Sequence, residues 1–343
     1  EKKMTKPEIT PIITNRDVAS PFLVEVQESA VKPIEPVFLD YQKDMSQLKA
    51  KSDIPVLYKQ NVANDLFQLI YVFDMGNNHD KALGTAFDYL EYLGTSDMTP
   101  EELKSEFYRL ACTFYVSPGN ERTYVVLSGL NENMPAAVQL FEKLLADAQV
   151  NKEAYTNMTS DILKARSDAK LNQGQNFSRL MSFAMYGPKS PATNLLTEAE
   201  LTNMNPQELV DRIHNQNSYK HRILYYGPSS SKDLLATINQ YHQVPAALKD
   251  IPAGNEYSYL ETPVTKVLVA PYDAKQIYMA QISNLDKKYD PAIEPIRALY
   301  DEYFGGGMNS IVFQEMRETR GLAYSAWASI MPPSYLKYPY VLR

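Results

Sequence analysis

From residue 54 onward, short apolar runs rich in β-branched and aromatic residues alternate with longer stretches of helical period. Ile54–Lys59 and Leu66–Asp74 read as strands, with partial alternation of apolar and polar positions. Lys81–Tyr92 places Leu83, Phe87 and Leu90 on one face and predicts a helix. A second helix starts at Pro100, with Thr99 as its cap, and runs through Ala111. Strands are expected at Thr113–Val116 and Thr123–Ser128. Helices are expected at Met134–Ala148, Lys152–Lys170 and Asn176–Met185, with another inside Leu201–Gln216 capped near Asn205-Pro206. His221–Tyr226 reads as a strand and Ser231–His242 as a closing helix.

The flanks read differently. Residues 1–45 carry scattered prolines (Pro7, Pro11, Pro21, Pro33, Pro36) and no sustained period, the mark of an extended connector. Pro245–Pro263 is a second weakly periodic linker. After it come expected strands at Val264–Val269 and Gln276–Ile282, then a helix over Ala292–Tyr303. This order loosely echoes residues 54–92, so a two-fold repeat is plausible although no repeated motif is visible. The expected organisation is a strap over 1–49, a complete α+β domain over 50–247, and a second α+β domain over 248–343. The last is expected to be truncated, because the chain stops inside the apolar run Tyr338–Arg343.

Composition narrows the function classes. The chain has 343 residues, 44% hydrophobic and 22% charged, with net charge −7 and the two signs interspersed. No basic patch points to nucleic acid. Cys112 is the single cysteine, which excludes an internal disulfide framework and a multi-cysteine metal site. No run approaches the roughly 18 apolar residues of a membrane span. The start Glu1-Lys2-Lys3 has neither an initiator methionine nor a signal-peptide pattern, as expected of a segment that begins inside a larger precursor. The 25 tyrosines suit a cleft that grips extended peptide. Many secreted bacterial proteins are equally tyrosine-rich, so a periplasmic or other extracytoplasmic compartment is one option, and the start of the chain does not fix it.

One stretch stands out chemically. Tyr303-Phe304-Gly305-Gly306-Gly307-Met308 ends one helical pattern and opens another at Met308. The new helix carries Ile311, Phe313 and Met316, and ends in Arg317-Glu318-Thr319-Arg320-Gly321. Gly321 suits a helix C-terminus, where cations also complement the dipole. Leu322–Trp327 then reads as a strand. The residue pattern alone is equally served by a plain helix–turn–strand joint.

This glycine turn, with the helix ending in Arg-Glu-x-Arg-Gly-Leu-Ala-Tyr, resembles the second domain of the pitrilysin/insulinase-type zinc metallopeptidases. The resemblance covers residues 50–330 weakly and 300–327 specifically. It implies an α+β fold of tandem domains, each a mostly antiparallel sheet covered by helices. It places Arg317 and Tyr324 on the family's arginine and tyrosine that reach substrate near the metal, with Gly305, Gly306 and Gly307 letting the substrate backbone lie close. Zinc in this family sits on a His-x-x-Glu-His helix, where two histidines bind the metal and the glutamate serves as general base. Counting back from Gly94-Thr95, those positions here are Thr85, Asp88 and Tyr89, so both metal-binding histidines are missing. A further glutamate ligand would be sought on Lys152–Lys170, which offers Asp161 and Asp168.

The four histidines offer no replacement by spacing. His79 sits in a turn before a helix, and His242 at a helix C-terminus where a cation is mildly favourable. His214 and His221 are separated by a predicted helix end and strand start, an unfavourable arrangement for a metal pair. Asp286 and Asp290, around Lys287-Lys288, read as a charged turn. No catalytic residue is therefore expected on this chain, and no cofactor of its own, with zinc expected in the other half of the enzyme. The expected function is the C-terminal half of a zinc metalloendopeptidase, positioning peptide for an N-terminal zinc-bearing half from the same precursor or a separate subunit. The alternative is a catalytically inactive structural or assembly homologue of the same family.

Overall fold

Val56 and Tyr58 alternate into the core from one strand, and Phe67, Leu69, Tyr71 and Phe73 from the next. That alternation fixes which face of the sheet the helices must cover. The structure is a computed structural model describing residues 19–36, 38–333 and 335–343. The chain divides into two units, residues 1–44 and 45–343.

The strands of the larger unit are β1 (Ser46–Lys49), β2 (Pro55–Gln60), β3 (Leu66–Phe73), β4 (Cys112–Pro118), β5 (Thr123–Leu130) and β6 (His221–Gly227). They form one six-stranded sheet in the order β1-β2-β6-β3-β5-β4. Every pairing is antiparallel except β2 with β6, where Val56 lies beside Ile223. The helices are α2 (Leu83–Leu90), α3 (Pro100–Arg109), α4 (Met134–Asp147), α5 (Lys152–Ala169), α6 (Gln173–Tyr186), α7 (Glu198–Asn203), α8 (Gln207–Asn215) and α9 (Ser231–Tyr241).

Most begin as the sequence dictates. Thr99 and Glu102 form a reciprocal capping box at α3, Asn151 caps α5 and Ser230 caps α9. Helix α4 packs against α8 and α9, and α2 against α8. Their apolar faces (Phe87, Leu90, Phe141, Leu144, Leu209, Ile238) join the inward strand residues in one core. Phe141 is fully buried, and its ring centroid lies 4.9 Å from that of Phe114 on β4.

A second, three-stranded antiparallel sheet has the order β7-β9-β8, from β7 (Ser283–Lys288), β8 (Ile330–Met331) and β9 (Pro339–Leu342). Between β7 and β8 lie α10 (Glu294–Asp301) and α11 (Ile311–Phe313). Several expectations fail here. Val264–Val269, Gln276–Ile282 and Leu322–Trp327 pair with no neighbour and are not strands. Val267, Val269, Ile277 and Met279 are exposed instead. High β-propensity makes a strand only where a neighbouring backbone supplies hydrogen bonds and a face to pack on. The one pairing this region does form uses polar Ser283–Lys288, just past the expected strand.

The smaller unit also departs from expectation. Within the 1–45 connector, residues 1–18 lie outside the described residues. The rest contains a helix, α1 (Pro21–Glu28), whose cap Ser20 accepts from the Leu23 N–H at 3.2 Å. Serine followed by proline at the first helical position is a strong start signal, and eight residues are too few to display a period.

Because Phe141 is packed on all sides, Phe141→Ala is expected to lower unfolding free energy by about 3–5 kcal/mol. Urea denaturation with an unchanged m-value checks this.

Candidate functional site

The glycine turn is built by a helix that widens before it stops. Helix α10 continues into a π-type turn over Glu302–Gly306, and Gly307 turns extended at φ −121°. Tyr300 and Phe304 stack along that helix, with centroids 5.3 Å apart. Gly305 is buried because Ala328 crosses it. A Cβ on Gly305 would lie 2.2 Å from the Ala328 carbonyl oxygen, so the glycine is required by close backbone approach. Gly306 is exposed and Gly307 half-buried. The next helix opens at Ile311 rather than at Met308, because the Ser310 hydroxyl caps it by accepting from the Phe313 N–H.

Helix α11 also widens, into a π-type stretch over Gln314–Thr319, and Gly321 ends it at φ +59°. Arg317 lies on this stretch. Its guanidinium carbon sits 4.8 Å from the Phe313 ring centroid and 4.7 Å from that of Tyr324. The fold thus brings Arg317 and Tyr324 into direct contact. Such cation–π contacts fix the plane and position of a guanidinium without using its N–H donors. Arg317 also makes a long ion pair with Glu318 at 3.6 Å, whereas Arg320 pairs with Glu315. Tyr324 is 86% exposed, and among the described residues its hydroxyl makes no hydrogen bond. A phenol donor and an oriented cation therefore stand side by side in solvent, able to grip carbonyl oxygens.

The positions aligned with a zinc helix are committed elsewhere. Tyr89 is fully buried, and its hydroxyl donates to the Asn151 carbonyl at 2.6 Å while accepting from the Asn151 N–H at 2.9 Å. It clamps α2 to the first turn of α5. Thr85 is half-buried one turn earlier, and Asp88 faces solvent. A hydroxyl already using donor and acceptor, a threonine and one carboxylate do not make a zinc ligand set. Among the described residues no group of three histidine, cysteine, aspartate or glutamate side chains could hold a metal. These three positions do not fit zinc.

The histidines are arranged in a way their spacing did not reveal. His214 bonds the Ala148 carbonyl at 3.1 Å, away from His221. His221 instead meets His242, Nε2 to Nε2 at 2.8 Å, and His242 Nδ1 contacts Glu142 Oε1 at 2.6 Å. All three are buried. Glu142 is the one acidic residue on the buried face of α4, and that lone inward charge was the available sequence signal.

No protein-family profile matches the chain. A curated relative named an uncharacterized zinc protease, from Rickettsia felis, is 20% identical over 263 residues, covering 73% of this chain and 60% of the relative. The chain thus spans about 60% of the length of the curated relative it matches. An M16 peptidase inactive domain from Pseudomonas fluorescens superposes with TM-score 0.64 at 17% identity, covering 87% of this chain and 73% of that one. The chain shares the fold of M16 peptidase domains. The periplasmic protease PqqL from Escherichia coli superposes with TM-score 0.70 at 14% identity, over 94% of this chain and 39% of that chain. The α+β reading, with sheets that are mostly antiparallel, stands at the level of architecture. No helix among the described residues is long and apolar enough to cross a membrane.

If Tyr89 is a clamp and not a relic ligand, Tyr89→Phe lowers stability by about 1 kcal/mol by removing the hydroxyl that bonds the Asn151 N–H and carbonyl. Chemical denaturation measures the loss. Zinc added to the wild-type chain is expected to leave the denaturation curve unmoved.

Proposed function

We propose that this chain is the non-zinc-binding half of a pitrilysin-type metalloendopeptidase, and that it holds peptide for a zinc site on an N-terminal partner half. The reading treats residues 50–247 as a degenerate peptidase domain and 248–343 as the domain that presents the clamp. The observation that carries it is the Arg317–Tyr324 contact, with the tyrosine hydroxyl unused and exposed beside a held guanidinium. Tyr324 donates to a carbonyl oxygen of the bound peptide, and Arg317 binds a neighbouring carbonyl of the extended chain. The turn at Gly306-Gly307 admits the peptide backbone beside them. Zinc, as in the name of the curated relative, belongs to the partner half in this reading. An extracytoplasmic site of action accords with the periplasmic neighbour.

The runner-up is a structural or assembly homologue, favoured by the way Tyr89 has replaced a ligand with a packing bond. Reconstitution with a zinc-bearing half, followed by cleavage of a fluorogenic peptide, separates the two. Arg317→Ala and Tyr324→Phe are each expected to lower kcat/KM by about 10²–10³, roughly 3–4 kcal/mol, as for loss of one preorganised donor. Cleavage unchanged by both substitutions rejects the clamp, and leaves the assembly reading standing if the halves still associate.

A further inference from the structure

The buried Glu142–His242–His221 network ties three elements together, and its geometry fixes its proton count. His221 Nδ1 lies 2.7 Å from the Tyr219 carbonyl oxygen, which only accepts, so Nδ1 carries a hydrogen. In a neutral ring that leaves His221 Nε2 as an acceptor. It faces His242 Nε2 at 2.8 Å, with the ring centroids 5.1 Å apart, so the two nitrogens point straight at one another. His242 must therefore donate from Nε2. One further proton lies in the 2.6 Å contact between His242 Nδ1 and Glu142 Oε1. Three protons shared by two imidazoles and one carboxylate give net charge zero, whichever side the third proton occupies. His242 has no free lone pair left in this arrangement, which also excludes the pair as a metal site.

A fourth proton on His221 Nε2 would confront the His242 N–H and leave a net positive charge in the core. Nothing nearby offsets it. From β3, the Tyr71 ring lies tilted against His242 with centroids 4.5 Å apart, and its buried hydroxyl has no hydrogen-bond partner. Phe73 covers His221 at 4.6 Å. Arg222, next along β6, points to the opposite face, where it and Arg122 pair with Asp74. His214 on α8 is engaged with Ala148, and Asn217 donates to Glu142 Oε2 at 2.9 Å.

The network also holds a segment. The Gln243 N–H donates to Glu142 Oε2 at 3.0 Å, and Lys249 is bonded in both directions to Ser218 and Lys220. Gln243–Pro245 forms one wall of a hollow of about 310 Å³ that reaches Glu142 and Asn217. We propose that Glu142–His242–His221 is an acid-operated latch: a proton taken by His221 Nε2 expels His242 from its bridge and frees Gln243–Lys249 from α4 and from the start of β6.

Burial, reinforced by the charge of His242, holds His221 down at about 4 against an ordinary 6.5. Between those values the closed network, with its three protons, binds fewer than the open one, so closure weakens as pH falls from 6.5 toward 4. By linkage, the opening equilibrium at pH 5 exceeds that at pH 6.5 by about tenfold.

Hydrogen exchange of the 343-residue chain, corrected for intrinsic rates, tests this at pH 6.5 and pH 5. Protection at residues 243–249 is expected to fall about tenfold while β3 and β5 keep theirs. His221→Asn offers an acceptor that does not titrate, and is expected to flatten the pH dependence. Should that variant not fold, an NMR titration of the wild-type imidazoles replaces it, and His221 is expected to stay unprotonated to well below pH 6. Equal protection at both pH values overturns the latch. So does a pH response that persists in His221→Asn, or a His221 that titrates near 6.5.

Discussion

The architecture depends on β6 lying between β2 and β3. This strand is parallel to one neighbour and antiparallel to the other, and without it the sheet is two separate ribbons. It arrives late in the chain, with His221 set opposite Phe73. The intervening helices share one core with that strand, because Ile223 and Tyr225 of β6 join Phe141, Leu144 and Leu209 of α4 and α8. Long-range pairing of this kind makes folding slow and cooperative. It also places the first residue of β6 where strand, helix layer and closing segment meet, which explains why a polar network occurs there and not elsewhere in the core.

The elements of residues 54–242 were legible because several signals coincide there. Pro100 follows a capping Thr99, Val125 and Leu127 alternate on β5, and Phe87 and Leu90 share a helical stripe. Each agrees with burial in the final core. Residues 264–282 carry strand composition just as strongly, yet remain unpaired. Propensity reports what a segment can be, and pairing requires a partner that composition does not name. The wide π-type turns around the glycines were equally invisible, since no short spacing rule distinguishes them from an ordinary helix end.

The histidine network was missed for a different reason. Spacing rules find ligands or partners on one helix or across one turn, whereas His221 and His242 meet because α9 doubles back on β6. Glu142 completes the set from a helix far earlier in sequence. Contact of that kind is topological, and only the buried acid on α4 hinted at it. The Arg317–Tyr324 contact lies at the other extreme. It spans a single helix end, and the sequence pair was therefore readable as a unit.

Two polar constellations thus differ in what they leave free. In the buried one, each hydrogen-bonding position of His242 is occupied, and His221 has only the lone pair that His242 already uses. It can gain a proton only by breaking, which suits a latch and excludes chemistry on a substrate. In the exposed one, the rings of Phe313 and Tyr324 hold the Arg317 guanidinium through its π face, leaving in-plane N–H donors, while the Tyr324 hydroxyl has no internal partner. Orientation is supplied by aromatic contact and donors remain available, which is what capture of a backbone carbonyl requires. A residue whose hydrogen bonds are all internal serves the fold. The Arg317–Tyr324 pair is held in place by contacts that consume few of its donors, and that asymmetry is why we propose it as a binding feature, with no metal-ligand cluster among the described residues.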